Sequence, residues 1–232
     1  MTFKTTRLLA ALLSLSLMSS NVPAISAGAE SSTAPYPYTL FAASADDGAI
    51  SSTAGNVCLN GSIAANGTVT TAGTLNINGT ETEHAEEEMI YLFNKLDRQY
   101  FSDDLVDTHD ADYTFSSINL PISVPTVVQG SADMTGNINL STGFKALEDI
   151  RFTGDSQNIT NAVLFSKYGD IVLEGQNVSV SGLIYAPFGT VNISAQNLNL
   201  NNVIVIADSI VLDAPNVNYD PWCCMGIVAY RT

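Results

Sequence analysis

The chain of 232 residues has little positive charge: 8 Lys and Arg stand against 23 Asp and Glu, with 2 His. That balance excludes nucleic acid and anionic membrane as partners, because holding phosphates requires Lys and Arg to displace counterions. Histidine is too scarce to supply a catalytic cluster. His84 stands in an acidic segment and His109 in a run of aspartates, and both read as solvent-exposed side chains. Cysteine is scarce too, and the three present, Cys58, Cys223 and Cys224, are an odd number. No CxxC or His–Cys spacing offers a zinc site. Bridging the adjacent Cys223 and Cys224 would close a strained ring, so free thiols are the simpler reading and a Cys58-linked or intermolecular disulfide the other. Charged residues are only 13% of the chain, and much of the polarity comes from Asn, Ser and Thr. No G-x-S-x-G elbow, P-loop, H-E-x-x-H or dinucleotide fingerprint occurs. No catalytic, cofactor-binding or metal-binding residue is therefore assigned.

Long apolar runs are missing after the N-terminus. Lys4 and Arg7 precede an apolar run over residues 8–18, and small residues follow at 24–29, the pattern of a secretory signal peptide over 1–27. Cleavage is expected after Ala27 or Ala29. The run is too short for a bilayer span, and no later stretch approaches the ~18 continuous apolar residues one needs. The expectation is a secreted, extracellular protein associated with a cell surface and not inserted in a membrane. Removing the leader leaves 6 basic and 23 acidic side chains, a formal charge of −17. About 205 residues then remain, enough for a single all-β domain with a sizeable core.

What the sequence does have is repetition. Glycine recurs at 55, 61, 67, 73 and 79, one every six residues. The third residue of each unit is a branched aliphatic, Val57, Ile63, Val69 and Leu75, and Asn-Gly closes several units. Each unit reads as a short strand and a corner, since Asn-Gly favours φ > 0. Hairpins of two-residue strands would bury too little to be stable. A coil turning one way, with three units to a rung of ~18 residues, fits better. A second array repeats with periods of 20 and then 19: Ile171, Val191 and Ile210 align, as do Leu173, Ile193 and Leu212, and Val178, Leu198 and Val217. Tyr168-Gly169 and Phe188-Gly189 repeat likewise. Asn177, Asn197 and Asn216 fall at one corner of successive rungs, where stacked amides can form a hydrogen-bonded ladder.

Between the arrays the period changes. Thr80, Glu81, Thr82 and Glu83 fit a capping box, and Met89, Leu92, Phe93, Leu96 and Tyr100 recur at helical spacing. The expectation is an amphipathic helix of ~20 residues and ~30 Å lying along one flank of the coil. Residues 103–112 then carry five aspartates and His109. Calcium takes oxygen ligands, but this run lacks the EF-hand order and glycine, so it reads as a solvated loop. Ile118, Leu120, Ile122 and Val124 alternate with Asn119, Pro121, Ser123 and Pro125, and the prolines suit an extended edge segment.

The segments GLIYAPFGTVNISAQNLNLNNVIVIAD and NVCLNGSIAANGTV, with the acidic helix between them, resemble uncharacterised secreted β-helix domains of Gram-positive gut bacterial surface proteins. The coil is also broadly similar to the bactofilin type. That resemblance implies a structural module and brings no active residues with it.

The fold expected is an all-β, right-handed parallel β-helix, a solenoid of about six rungs of 18–20 residues. Its organisation is a signal peptide at 1–27, a lead-in at 28–54, a β-helix domain at 55–219 with a helix and acidic loop inserted at 80–125, and a tail at 220–232, which is expected to cap one end. The preferred function is structural or adhesive: binding an extracellular protein or glycan without catalysis, with end-to-end self-association through open coil ends. The alternative is a carbohydrate-active enzyme using Asp170, Glu174, Asp208 or Asp213 with Arg151 or Lys167, and Tyr168, Tyr185 and Phe188 as a sugar platform. Ice binding by a Thr file fails on spacing, because Thr68, Thr74 and Thr80 are six apart and fall on different faces of one coil.

Overall fold

The computed structural model describes residues 37–53, 56–59, 61–102 and 105–214. The signal peptide, Cys223, Cys224, Asn216, Val217 and the tail lie outside them. The described chain is a parallel β-solenoid of about seven turns, one more than the sequence indicates, with a single short helix. Every ladder in it is parallel.

The strands are β1 (Tyr38–Ala42), β2 (Ile50–Ser52), β3 (Asn56–Leu59), β4 (Ser62–Ala65), β5 (Val69–Thr71), β6 (Thr74–Ile77) and β7 (Glu81–Thr82) in the N-terminal array. After the helix α1 (Phe93–Tyr100) come β8 (Asp107–His109), β9 (Tyr113–Ile122), β10 (Thr126–Val128), β11 (Ala132–Leu140), β12 (Gly143–Ala146), β13 (Ile150–Thr153), β14 (Ser156–Ser166) and β15 (Ile171–Asp213). The strands line three faces. The first carries β8, β10, β12, the end of β14, parts of β15, then β1, β4 and β7. The second carries the start of β9 and of β11, β13, parts of β15, β2 and β5. The third carries the rest of β9 and β11, the start of β14 and part of β15, with β3 paired to β6 as a separate two-stranded sheet.

The glycine beat has the meaning its period implies. Asn56 stacks on Thr74 and Ile63 on Glu81, each 18 residues on, so three units make one rung. Gly61 and Gly79 share a corner, and a Cβ on Gly79 would lie 2.4 Å from the Gly61 carbonyl oxygen. Inward positions of successive rungs stack apolar on apolar. Ile150, Ile171, Val191 and Ile210 are all fully buried, as are Phe152, Leu173, Ile193 and Leu212.

The rungs do not stack in chain order. The first rung of the N-terminal array lies on the last described coil of β15, with Leu40 against Val205 and Ile210 against Ile50. The N-terminal array winds away from that junction to β7. The chain then crosses to the far end of the solenoid, starts again at β8, and winds back to meet its own beginning.

The crossing segment, residues 83–102, corrects the helix expectation in length but not in placement. Only residues 93–100 are helical, with Leu92 at the N-cap and no side-chain cap bond. The capping-box residues are used elsewhere: Glu81 and Thr82 form β7 on Ile63 and Ala64, and a Glu83 carboxylate oxygen accepts the Val69 N–H at 2.7 Å. His84 and Glu86 take φ of 49° and 53°, which no helix interior allows. An extended residue rises about 3.3 Å and a helical one 1.5 Å, so the strap covers several rungs in few residues. It runs along the first face, where the outward residues Phe41, Ala64, Phe165, Tyr185 and Ile206 are buried beside the inward ones. The Pro-bearing segment is an edge as expected, since β9 pairs only with β11. Residues 107–109 and 113–122 of the predicted insertion are themselves rung strands.

Candidate functional site

The third face is a regular polar surface. Its outward positions form one file of Asn119, Asn137, Ser156, Asn177 and Asn197, and a second that includes Pro121, Asn139, Asn158 and Ser179. They alternate with inward Ile138 and Leu140, and with Val178 and Val180, so a period-2 sequence places these asparagines outward. The Gln157 amide, in register with Ile138 and Val178, is instead turned inward and buried, its Nε2 donating to the Gly136 carbonyl at 3.2 Å. Asn197 Nδ2 donates to Asn177 Oδ1 at 2.9 Å, so the expected ladder is present there. Asn137 Nδ2 donates to Asn119 Oδ1 and Asn158 Nδ2 to Asn139 Oδ1, both at 3.4 Å, while Asn137 Oδ1 accepts the Ser156 N–H at 3.1 Å. These bonds use only part of each amide's capacity of two donors and two lone pairs. The remainder faces solvent.

The corner between the first and second faces carries a carboxylate file. Asp112 Oδ1 accepts the Ser131 N–H, Asp149 Oδ1 the Asp170 N–H, and Asp170 Oδ1 the Thr190 N–H, at 2.9, 2.8 and 2.7 Å. Asp170 is thus a rung-to-rung corner residue. Beside this file lies an aromatic cluster. Tyr168 and Phe188 are one rung apart with centroids 6.0 Å apart, and Tyr91 of the strap stands 5.6 Å from Phe188. The Lys167 ammonium sits 4.9 Å from the centre of the Tyr168 ring.

Tyr185, expected on the same platform, belongs underneath it. It is fully buried, with its hydroxyl donating to the Ile90 carbonyl at 2.8 Å and accepting the Leu92 N–H at 2.9 Å. Burial pushes its phenol far above the usual tyrosine range. The position it was expected to fill is taken by Tyr91.

A groove of about 540 Å³ opens where the second face meets the next corner, lined by Thr53, Glu174, Ser194, Gln196 and Asp213 among others. It brings together two of the four acidic candidates. Glu174 is engaged by the Arg151 guanidinium at 2.9 Å, and Asp213 accepts the Thr53 hydroxyl. Glu174 and Asp213 stand two rungs apart, roughly 10 Å along the axis at ~4.8 Å per rung. That exceeds the ~5–5.5 Å of a retaining glycosidase pair and lies at the upper limit for an inverting one. Asp208 is elsewhere, at the junction of the arrays, where burial and then the Asp46 carboxylate hold its carboxyl above the usual range.

Neither histidine joins these groups. His84 is exposed in the strap, outside any helix. His109 is in β8, its ring stacked on Tyr113 with centroids 3.7 Å apart and Nε2 3.3 Å from the Asp107 carboxylate. Among the described residues no three His, Cys, Asp or Glu side chains gather as a metal site. Thr68, Thr74 and Thr80 precede or begin strands of three different faces.

The class these observations define is a parallel β-solenoid with a strapped first face, a polar amide face and an aromatic corner. No family model matches the chain, and no curated protein matches it. Among solved structures it is similar to an ice-binding protein from the Antarctic ascomycete Antarctomyces psychrotrophicus, at 14% identity and a TM-score of 0.36, over 84% of this chain and 98% of that one.

Proposed function

We propose that the protein is an exported structural or adhesive module of the cell surface, binding an extracellular protein or glycan without turning it over. The observation that carries this reading is the amide face: rigid, exposed, and repeating its unused donors and acceptors at the rung spacing. A hydroxyl-rich or amide-rich partner can exchange its water for such groups at several points at once. Holding a rotamer-rich side chain costs about 0.5–1.5 kcal/mol on binding, and the ladder has already ordered these amides.

The open strand β9 and the acidic residues at both ends oppose each other in self-association. The edge invites pairing, while Asp107, Asp110 and Asp112 at one end and Glu81 and Glu83 at the other repel a second acidic copy. The enzymatic alternative draws on the groove with Glu174 and Asp213. The test is incubation of the purified protein with a panel of plant and host polysaccharides, alongside binding to a glycan array. Retention without turnover is the expected result. Released reducing ends that disappear in Glu174→Gln and Asp213→Asn would reverse the conclusion in favour of a carbohydrate-active enzyme.

A further inference from the structure

The aromatic corner is distinct from the amide face. Among the described residues the exposed large apolar side chains fall into two groups: Leu105, Phe115, Ile118 and Val124 belong to the far-end coil and its edges, whereas Tyr91, Tyr168 and Phe188 meet at one corner. These three are 59%, 56% and 49% exposed. The rings come from three separate places in the chain. Phe188 stands between the other two, inclined by 32° to Tyr91 and 25° to Tyr168. Phe93 backs the group, 6.0 Å from Phe188 and 5.7 Å from Tyr91. Scattered apolar residues on a surface need no explanation, but a contiguous exposed group with polar borders marks a contact site.

We infer that this corner is a saccharide-binding platform for a neutral glycan chain. A pyranose ring has an apolar C–H face and a rim of hydroxyls, and so requires aromatic surface bordered by hydrogen-bonding groups. The polar groups at hand are the hydroxyls that Tyr91 and Tyr168 themselves carry and, two residues on from Tyr168 and Phe188 at the same corner, Asp170 and Thr190. The charge of the molecule selects against anionic polymers, at −15 for the full sequence. The nearest cation, Lys167, is already held over the Tyr168 and Phe93 rings at 4.9 and 5.9 Å. An extended peptide would need free backbone N–H groups to pair as an added strand. At this corner the Asp170 and Thr190 N–H groups are committed to rung-to-rung bonds, and among the described residues no exposed aliphatic side chain joins the rings.

The inference rests on the binding reading above and names its ligand class. It is tested by affinity electrophoresis and calorimetry of the intact protein against a neutral β-glucan, a galactomannan, an α-glucan, an anionic pectin and a proline-rich peptide. At least one neutral glycan should bind and pectin should not. Tyr168→Ala and Phe188→Ala should each weaken that binding roughly threefold to tenfold, the scale of one lost aromatic contact, with Tyr168→Phe keeping most of the affinity. Both alanine variants should retain a cooperative unfolding transition, the melting temperature lowered more in Phe188→Ala because its ring also packs on Tyr91 and Phe93 of the strap. Glycan binding that both alanine variants retain at full strength would overturn the platform while leaving the adhesive reading intact. Failure to bind any neutral glycan, or a preference for pectin or the peptide, would overturn the assignment of ligand class.

Discussion

At the residue scale, the side chains that matter most for the architecture are those that connect the strap to the coil. Asn66 uses both ends of its amide on one partner: Nδ2 donates to the Glu87 carbonyl at 2.7 Å and Oδ1 accepts the Glu87 N–H at 2.9 Å. Tyr185 does the same with one hydroxyl, bonding Ile90 and Leu92. It is an outward residue of the first face, so its ring fills the space beneath Phe93, 5.9 Å away, while its tip holds backbone that no strand partner reaches. Tyr185→Phe keeps the ring and leaves a buried N–H and a carbonyl unpaired. The expected loss is about 1–3 kcal/mol of stability, read from chemical denaturation. A change below a few tenths of a kcal/mol would mean that water replaces the hydroxyl and that the strap is held by its rings alone.

At the scale of elements, the sequence expectations succeeded where period and corner chemistry act locally and failed where two distant elements compete for the same residues. The repeats of Ile171, Val191 and Ile210 were legible because each rung buries the same positions. The strap was legible as helix only in part. Its Glu-rich start favours a helix, but residues 81–82 pair as β7 with Ile63 and Ala64 of β4, and that tertiary gain exceeds the few tenths of a kcal/mol that separate helix propensities. The aromatic corner was half legible: Tyr168 and Phe188 stand in register, whereas Tyr91 reaches them only through the course of the strap. One available signal was unused. The runs at 162–165, 183–186 and 203–207 are apolar at both inward and outward positions, the mark of strands covered on both sides. The helix end of the strap rests on Gly143, where a Cβ would lie 2.8 Å from the Phe101 ring and 3.3 Å from the Tyr100 Cβ. Gly143→Val should therefore lift this end of the strap, making residues 93–102 the first site of limited proteolysis while the rung strands stay protected. An unchanged digestion pattern would show that the Phe101 ring moves aside and the helix stays docked.

At the scale of the whole molecule, the order of the rungs matters more than their number. A solenoid wound in chain order pairs each residue with one about 20 positions away, so most of its contacts are local. Here the junction pairs Leu40 with Val205 and Ser51 with Val211, and two arrays become one continuous core only when that junction closes. The strap then serves both as the connection that lets the chain restart at the far end and as the cover that the apolar first face requires. Contacts of such long sequence separation carry a loop-closure cost before they stabilise anything, which slows folding. The junction can be tested directly, because Ser51 and Val211 are outward partners on neighbouring parallel strands. Such strands lie ~4.8 Å apart, inside the ~4.4–6.8 Å range of Cα separations that a disulfide spans. The double variant Ser51→Cys with Val211→Cys should form an intramolecular cross-link under mild oxidation, seen as a faster-migrating band without reductant that neither single variant gives. Because the bond closes a loop of well over 100 residues, it should stabilise the fold by up to about 4–5 kcal/mol. Rungs stacked in chain order would leave those two cysteines at opposite ends of the coil, and no such band would form.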